Sequence, residues 1–549
     1  MSWVTVRRFR LVLLALLASV VASSSSSAQL YKDERLGYSL RIPKDYEQVP
    51  TTSGEEYVVA HFVSKKETFL IHKASGGSWV HRPDIQVIAF LDAVINRPQI
   101  EEDEDDAEKK VRVIDPYRDY KDFMNRTYPG GFFFDIEEED EHKGLPVKCY
   151  EIKVESKTGG TAPKRLLTWV FRTELGEIAV QCESLVSEFD KFQSEFKKLI
   201  RSFTEIERTE ELDLSAFTGG FISLADLDEL TPDQRRLQRI ELERRAWERA
   251  TRDLPDGWET YEMDGVMCMT RADKGYSKKV IESVFAVTDF LEETFPDVGK
   301  GEYTRTPMLR ICKDDEEYFS LYKVGSTWDF TDLSNEIVTY KTKFGATSVA
   351  WETVKRRAME IWFSDRDRDL YFALPEWLRR GLRETIEGSD MKGSKLKLEG
   401  TMAWKNALRD AERDDRLVPV KDLMHMTRRE LYTAVQNDDW GPLAQCVALV
   451  DMLINSKKRN LKTVLADYMK HVDDITAEIR AENVAKRKAE QVEDSKPTTE
   501  EEEDEYFRKE REAIEAQQER LLSESFIRTF DGWSEKEWSS FERAFQKSL

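Results

Sequence analysis

Between Trp351 and Asp390 the chain gathers the side chains best placed to do chemistry. Arg356, Arg357 and Glu360 lie in one stretch, Arg380, Glu384, Glu387 and Asp390 in the next. Arg356 and Glu360 stand four residues apart, the spacing that puts two side chains on one face of a helix. Two imidazoles at that spacing bind zinc, but a guanidinium is permanently charged and has no lone pair to give. Glu384, Glu387 and Asp390 are oxygen donors without a histidine, a set that favours calcium or no metal over zinc. What these residue types do well is charge-assisted hydrogen bonding. The expectation is that Glu360 bridges Arg356, Arg380 or both, tying two helices together.

Two helices must position them. Apolar residues fall at Val354, Ala358, Ile361 and Trp362, then at Trp377, Leu378, Leu382 and Ile386, with helical spacing on both sides of a charged loop. The pair resembles the active-site helices of gluzincin (thermolysin-type) metallopeptidases, which read H-E-x-x-H-x-W-F and L-P-x-W-L-x-E-G-L-x-E. Trp362, Leu374, Pro375, Trp377, Leu378, Gly381, Leu382 and Glu384 keep that pattern. The resemblance places Arg356 at the first histidine ligand, Arg357 at the glutamate base, Glu360 at the second histidine and Arg380 at the third ligand. It therefore implies a peptidase scaffold from residue 257 to 549 that has lost its metal: no catalytic residues, no metal and no cofactor. A later helix, WGPLAQCVALVDMLIN, resembles the family's Gln-Leu-Val helix at Gln445, Leu449, Val450 and Leu453, with Leu443 where a tyrosine belongs. His425 and Tyr432 fall where some members supply a transition-state hydrogen bond; without zinc, core or surface duty is expected of both. The segment NEIVTYKT takes the place of the family's edge strand over the substrate cleft.

Length and composition set the bounds. A chain of 549 residues holds two or three domains, and 40% hydrophobic content suffices for real cores. The formal charge of −22 argues against nucleic acid and anionic membranes as partners. Residues 1–28 have the pattern of a secretory signal peptide: Arg7, Arg8 and Arg10, an apolar run from Leu11 to Ala22, and Ser26 and Ala28 before a cleavage site after Ala28, with Ala22 as the alternative. An exported protein, periplasmic or extracellular, without a membrane span after cleavage, is expected. Five cysteines leave at least one unpaired; Cys149 with Cys182, or Cys268 with Cys312, are pairs open to bridging, but burial as small hydrophobes is the state expected of most of them.

The fold class expected is multidomain α+β. Residues 29–208 form an antiparallel-sheet domain, with strands at GYSLRI, EYVVAHFV, TFLIHK, FFFDI, VKCYEIKVE, RLLTWVFRT and EIAVQCES. It closes with an amphipathic helix carrying Phe189, Phe192, Phe196, Leu199, Ile200 and Phe203. The order, from LGYSLRIPKDYE to a final helix ending in SF, resembles PsbP-like α/β/α domains and implies a binding or scaffolding module. Acidic runs at 101–106 and 137–141 are expected as solvated loops, and His61, His72 and His81 as non-ligands. Residues 209–256 are a helical linker, 257–472 the peptidase-like domain, 473–525 a charged helical arm, and 526–549 a closing helix whose aromatics dock back.

These readings converge on an exported non-catalytic protein that binds a peptide, a protein or a cell-envelope component through its former substrate cleft. The alternatives are a hydrolase with a non-standard metal or none, and a structural or assembly protein acting through the N-terminal domain.

Overall fold

The structure is a computed structural model that describes residues 28–51, 57–71, 78–96, 117–128, 131–155, 163–212, 214, 231, 233, 234, 237, 240, 244, 247, 248, 250, 251, 254–263, 266–298, 308–321, 336–341, 349–366, 370–398, 402–490 and 500–549. The expected signal peptide, the 101–106 acidic run and His72 lie outside these residues. Among the described residues no helix is long and apolar enough to cross a membrane.

The N-terminal lobe is built on β-rich runs. Strands β1 (Gln29–Asp33) and β2 (Tyr38–Ile42) form a small sheet with β12, a short strand at Thr204–Glu205. The main sheet runs β3-β4-β7-β11-β10-β9-β8, all neighbours antiparallel, where β3 is Tyr46–Val49, β4 Val58–Ser64, β7 Asp84–Leu91, β8 Phe132–His142, β9 Leu145–Val154, β10 Lys164–Arg172 and β11 Gly176–Leu185. Strands β5 (Thr68–Ile71) and β6 (Ser78–His81) pair as a hairpin. Both faces of the main sheet are covered. Ile85, Val87, Ala89 and Leu91 join the core under helix Phe189–Ile200, while Ile88 and Phe90 join a second cluster with Tyr120 and Met124 of helix Tyr120–Thr127. The alternation along β7 follows from the two-residue period of a strand.

One expectation needs correcting here. Residues 137–141 are not a loop: they continue β8, pairing Glu137 with Tyr150 through Glu141 with Pro146. They occupy the sheet's outer edge, where charged side chains are tolerated because they face water and discourage further strand pairing. A two-residue turn at Lys143 and Gly144, both at positive φ, closes the hairpin. The cysteines are in the state expected of most of them: all five are free, with Cys182, Cys268, Cys312 and Cys446 buried. Cys149 and Cys182 are separated by β10, since Trp169 pairs with Cys149 and with Val180.

The C-terminal lobe opens with a four-stranded sheet, β13 (Glu259–Met263), β14 (Val266–Thr270), β15 (Met308–Cys312) and β16 (Glu336–Tyr340), in that order. The first two form an antiparallel hairpin; β14–β15 and β15–β16 are parallel. Helix α1 (Lys274–Thr294) supplies the crossover between β14 and β15, and Asp273 caps it by accepting from the Tyr276 N–H. Leu309, Ile311 and Ile337 face the helical core, and the alternate residues face the N-terminal lobe. There Cys312 and Val338 pack against Val49 and Val63, and Met269 and Met308 meet Ala250 of the linker helix. Cys268 pairs with Leu309 on the helical side, so it points away from Cys312. Across the lobe boundary, Arg310 pairs with Glu336 while its Nη2 donates to the Thr51 carbonyl at 2.8 Å. β16 is thus an edge strand whose first four residues are buried.

Helices complete the lobe: α2 (Val349–Arg366), α3 (Leu370–Ala373), α4 (Glu376–Glu387), α5 (Gly441–Asn455), α6 (Val464–Glu490), α7 (Glu500–Phe530) and α8 (Glu535–Gln546) surround one large apolar core, with shorter helices between α4 and α5. The arm is an antiparallel helix hairpin, stapled by Arg520–Glu482 and Arg528–Glu478 ion pairs. Its boundaries differ from those expected, because α6 runs unbroken through 472–473 and α7 through 525–526. Val472, Ile475, Leu521 and Phe530 root both helices in the core, so arm and domain share one helix pair. The closing helix α8 begins at a Ser534–Glu537 capping box and buries Phe541 and Phe545.

Candidate functional site

The site lies where α2, α3 and α4 meet. Helix α2 buries Val354, Ala358, Ile361 and Trp362 and leaves Arg356, Arg357 and Glu360 half-exposed. Helix α4 starts at Pro375, whose fixed φ suits a helix entrance. It buries Trp377, Leu378, Gly381, Leu382 and Ile386 and turns Arg379, Arg380, Arg383, Glu384 and Glu387 outward. Gly381 lets α4 press on α5: a Cβ there would stand 2.5 Å from Val450 Cγ2 and 2.6 Å from the Cys446 carbonyl oxygen. That close approach seats the 374–382 stretch directly on the helix that carries Gln445, Leu449 and Val450. Gln445 of α5 reaches back to the Val418 backbone, accepting from its N–H and donating to its carbonyl.

The arginines and glutamates form a chain of pairs that includes the expected Arg356–Glu360 pair but not a Glu360–Arg380 tie between helices. Glu360 accepts from Arg357 Nη1 at 2.7 Å and from the Tyr371 hydroxyl at 3.5 Å, and lies 3.9 Å from Arg356 Nε. Arg380 does not reach Glu360; it donates from Nε to Glu376 on its own helix at 3.0 Å, and Arg379 pairs with the same carboxylate. The tie between helices is Glu387. Its Oε1 accepts from Arg383 Nε at 3.0 Å and lies 3.6 Å from Arg356 Nε. Lys355 makes a second tie, donating at 2.5 Å to the carbonyls of Glu387 and Ser389 at the end of α4. Neither tie was expected from spacing, although Glu387 was singled out as an oxygen donor and its helical phase with Arg383 is visible in the sequence.

Burial shifts several of these groups. It pushes the Tyr371 hydroxyl up to about 12, with the Glu360 charge adding to the effect and the Arg379, Arg383 and Arg356 charges opposing it. Burial also raises the carboxyls of Glu384 and Glu387, with the neighbouring Glu387 charge adding at Glu384 and Arg383 and Arg356 opposing at Glu387. Lys355 is lowered by the same desolvation. The Glu384 carboxylate, at one of the motif positions, makes no hydrogen bond among the described residues, while its backbone carbonyl accepts from the Gly388 N–H. Asp390 is exposed on a short strand, and Glu387 is committed to arginine. Among the described residues no three His, Cys, Asp or Glu side chains are gathered as a metal-binding group.

The remaining candidates are structural. His425 Nδ1 sits 2.7 Å from the Lys421 carbonyl oxygen and its ring packs at a tilt against Phe526; Tyr432 is exposed. His61 and His81 are buried in the N-terminal lobe beside Asp84 and Glu183, respectively.

No protein-family model matches the chain, and no curated protein does. Several solved structures show weak similarity, and two of them illustrate it over about a third of the chain. One is the solution structure of cyanobacterial PsbP (CyanoP) from Synechocystis: 17% identity, 33% of this chain and 95% of that one covered, TM-score 0.22. The other is the crystal structure of PA94, a protein of unknown function from Pseudomonas aeruginosa: 9% identity, 32% and 94% covered, TM-score 0.15.

Proposed function

We propose that this is an exported, non-catalytic protein on a degenerate gluzincin-like scaffold. It binds a peptide, a protein or a cell-envelope component at the cleft between α2, α3 and α4, and its N-terminal lobe is a PsbP-like binding module. One observation carries the reading. The positions that the sequence resemblance assigns to zinc ligands hold Arg356, Glu360 and Arg380, and the Glu360 carboxylate is taken by Arg357 at 2.7 Å. A guanidinium cannot ligate zinc, the position of the glutamate base holds Arg357, and the Glu360 oxygens are occupied by the Arg357 guanidinium and the Tyr371 hydroxyl. What such a cleft does well is contact. The open face of this cluster, where each side chain is half-exposed, supplies polar donors beside Tyr371.

The test uses the purified full chain. Zinc-loaded protein is incubated with a mixed peptide substrate, and unloaded protein is panned against a random-peptide display library. The expected outcome is no zinc-dependent cleavage and enrichment of peptides whose binding is lost in Arg356→Met. Stoichiometric zinc with cleavage abolished by a chelator would overturn the reading.

A further inference from the structure

Strand β8 ends the main sheet, and β9 is its only neighbour among the described residues. It runs for 11 residues where about 5–6 is typical, and every residue from Asp135 to Glu141 is exposed. A long open edge is a template for another strand, because half of its backbone groups have no partner in the sheet.

The hairpin turn fixes which groups those are. His142 and Leu145 close the two-residue turn as a hydrogen-bonded pair, and along an antiparallel ladder such pairs alternate with pairs that share no hydrogen bond. Residues 140 and 138 therefore bond to β9, while the N–H and C=O of Glu137, Glu139 and Glu141 point away from the sheet. Two observations agree. Opposite Glu141 stands Pro146, which has no N–H to give. The Glu141 N–H donates to the Asp140 side chain at 2.8 Å.

The side chains along this edge carry one sign. Glu137 pairs with Lys121, but Glu138, Glu139, Asp140 and Glu141 make no ion pair among the described residues. Cations close by in the fold are used elsewhere. Lys148, directly across from Glu139, pairs with Glu177. Lys143, at the turn, donates to the Phe203 carbonyl and the Thr204 hydroxyl, and Arg201 lies over the Trp169 ring. Like charges directly opposite one another destabilise a strand pair and opposite charges stabilise it. The run therefore repels a second β8 laid along it, and the same charges favour a strand that carries cations.

We propose that the outer edge of β8 accepts an extended, lysine- or arginine-rich segment of a partner protein as one further strand of the sheet. The segment's backbone bonds to Glu137, Glu139 and Glu141, and its cations stand opposite the acidic run. Main-chain hydrogen bonds supply affinity in such strand addition, and side chains at alternate positions supply specificity. The surface lies on the N-terminal lobe, goes beyond the cleft reading and does not rest on it.

The experiment titrates the full chain with a fluorescein-labelled heptapeptide amide of alternating lysine and threonine, read by fluorescence anisotropy. Amide exchange is followed by mass spectrometry with and without the peptide. Spermine, a tetracation like the peptide but without a backbone, is the control. The peptide is expected to bind and to slow exchange in the 132–142 segment several-fold, and spermine to leave that exchange unchanged. Glu139→Gln removes one charge and keeps the N–H; Glu139→Pro removes both. Proline is tolerated where an edge N–H faces water, so Glu139→Pro keeps the parent melting temperature and weakens binding several-fold more than Glu139→Gln does.

Absence of binding overturns the proposal, as does binding that leaves exchange in 132–142 unchanged. Equal affinities of the two Glu139 variants, or equal slowing by spermine, show attraction by charge alone and overturn strand addition. Slowed exchange in α2 and α4 in place of 132–142 puts the peptide in the cleft and overturns the edge site. A Glu139→Pro variant that does not fold shows that this N–H belongs to the ladder, which overturns the outward assignment.

Discussion

Gly381→Ala separates two opposing effects by sign. In an unobstructed helix interior, replacing Gly by Ala stabilises by roughly 0.5–1 kcal/mol, because Ala loses less backbone entropy on folding. At position 381 the added Cβ meets Val450 Cγ2 at 2.5 Å and the Cys446 carbonyl oxygen at 2.6 Å. The second obstacle is backbone, so it cannot rotate away; α4 and α5 must part by several tenths of an ångström along their shared contact. Overpacking of this kind costs about 1–3 kcal/mol, occasionally more, and outweighs the entropic gain. The expected net effect is a loss of about 1–2 kcal/mol, read as a lower urea midpoint by tryptophan fluorescence, with Trp362 and Trp377 buried nearby. Val450→Ala removes one obstacle but leaves the carbonyl, so the double variant recovers only part of the difference. If Gly381→Ala is more stable than the parent protein, the helices do not touch here and the site geometry built on that contact is wrong.

Three further outcomes are expected. Arg310 and Glu336 have side-chain exposures of 0% and 1%, so Arg310→Met, which strands a buried charge, costs about 3–5 kcal/mol. Adding Glu336→Leu returns most of that, and a single variant within about 1 kcal/mol of the parent in urea unfolding would contradict the buried pairing. Glu384 titrates above its ordinary 4.5 because of burial and then the Glu387 charge. The folded protein holds that proton more tightly than the unfolded chain, so the group's contribution to stability is favourable below the ordinary value and declines as pH rises through the raised one. Glu384→Gln therefore raises Tm at pH 8 and leaves it nearly unchanged at pH 4; an equal shift at both would refute the assignment. Lys355→Met removes the donor shared by the Glu387 and Ser389 carbonyls and costs about 1–3 kcal/mol. Faster amide exchange in the 388–397 segment would report it, and unchanged exchange would argue against the cap.

Much of this molecule is legible in its residue order. The helices around Trp362 and Trp377 follow from apolar residues three and four apart, and the strands of the N-terminal lobe follow from β-rich runs bounded by turns. Such periodicities act between neighbours in the chain and need no distant partner. Strand β7, the third strand of the main sheet, escaped that reading. Its DIQVIAFL is buried on both faces and so shows little alternation. The acidic edge of β8 escaped for the opposite reason, since only its pairing with β9 reveals it as a strand.

The composition of the site could likewise be read in advance, and its wiring could not. Arg356, Glu360, Arg380 and Glu387 were all visible as charges on two helices, yet Glu387 and not Glu360 joins those helices. Residues 380 and 383 lie on the same side of α4 and differ only in angle. Which of them faces α2 depends on how α4 is rotated and how closely it lies on α5, and that is fixed at Gly381 against Cys446, sixty-five positions away. Sequence determined the helices and the charges they carry. Tertiary packing alone decided which charges meet, because an ion pair depends on distances of a few ångströms that no local periodicity sets.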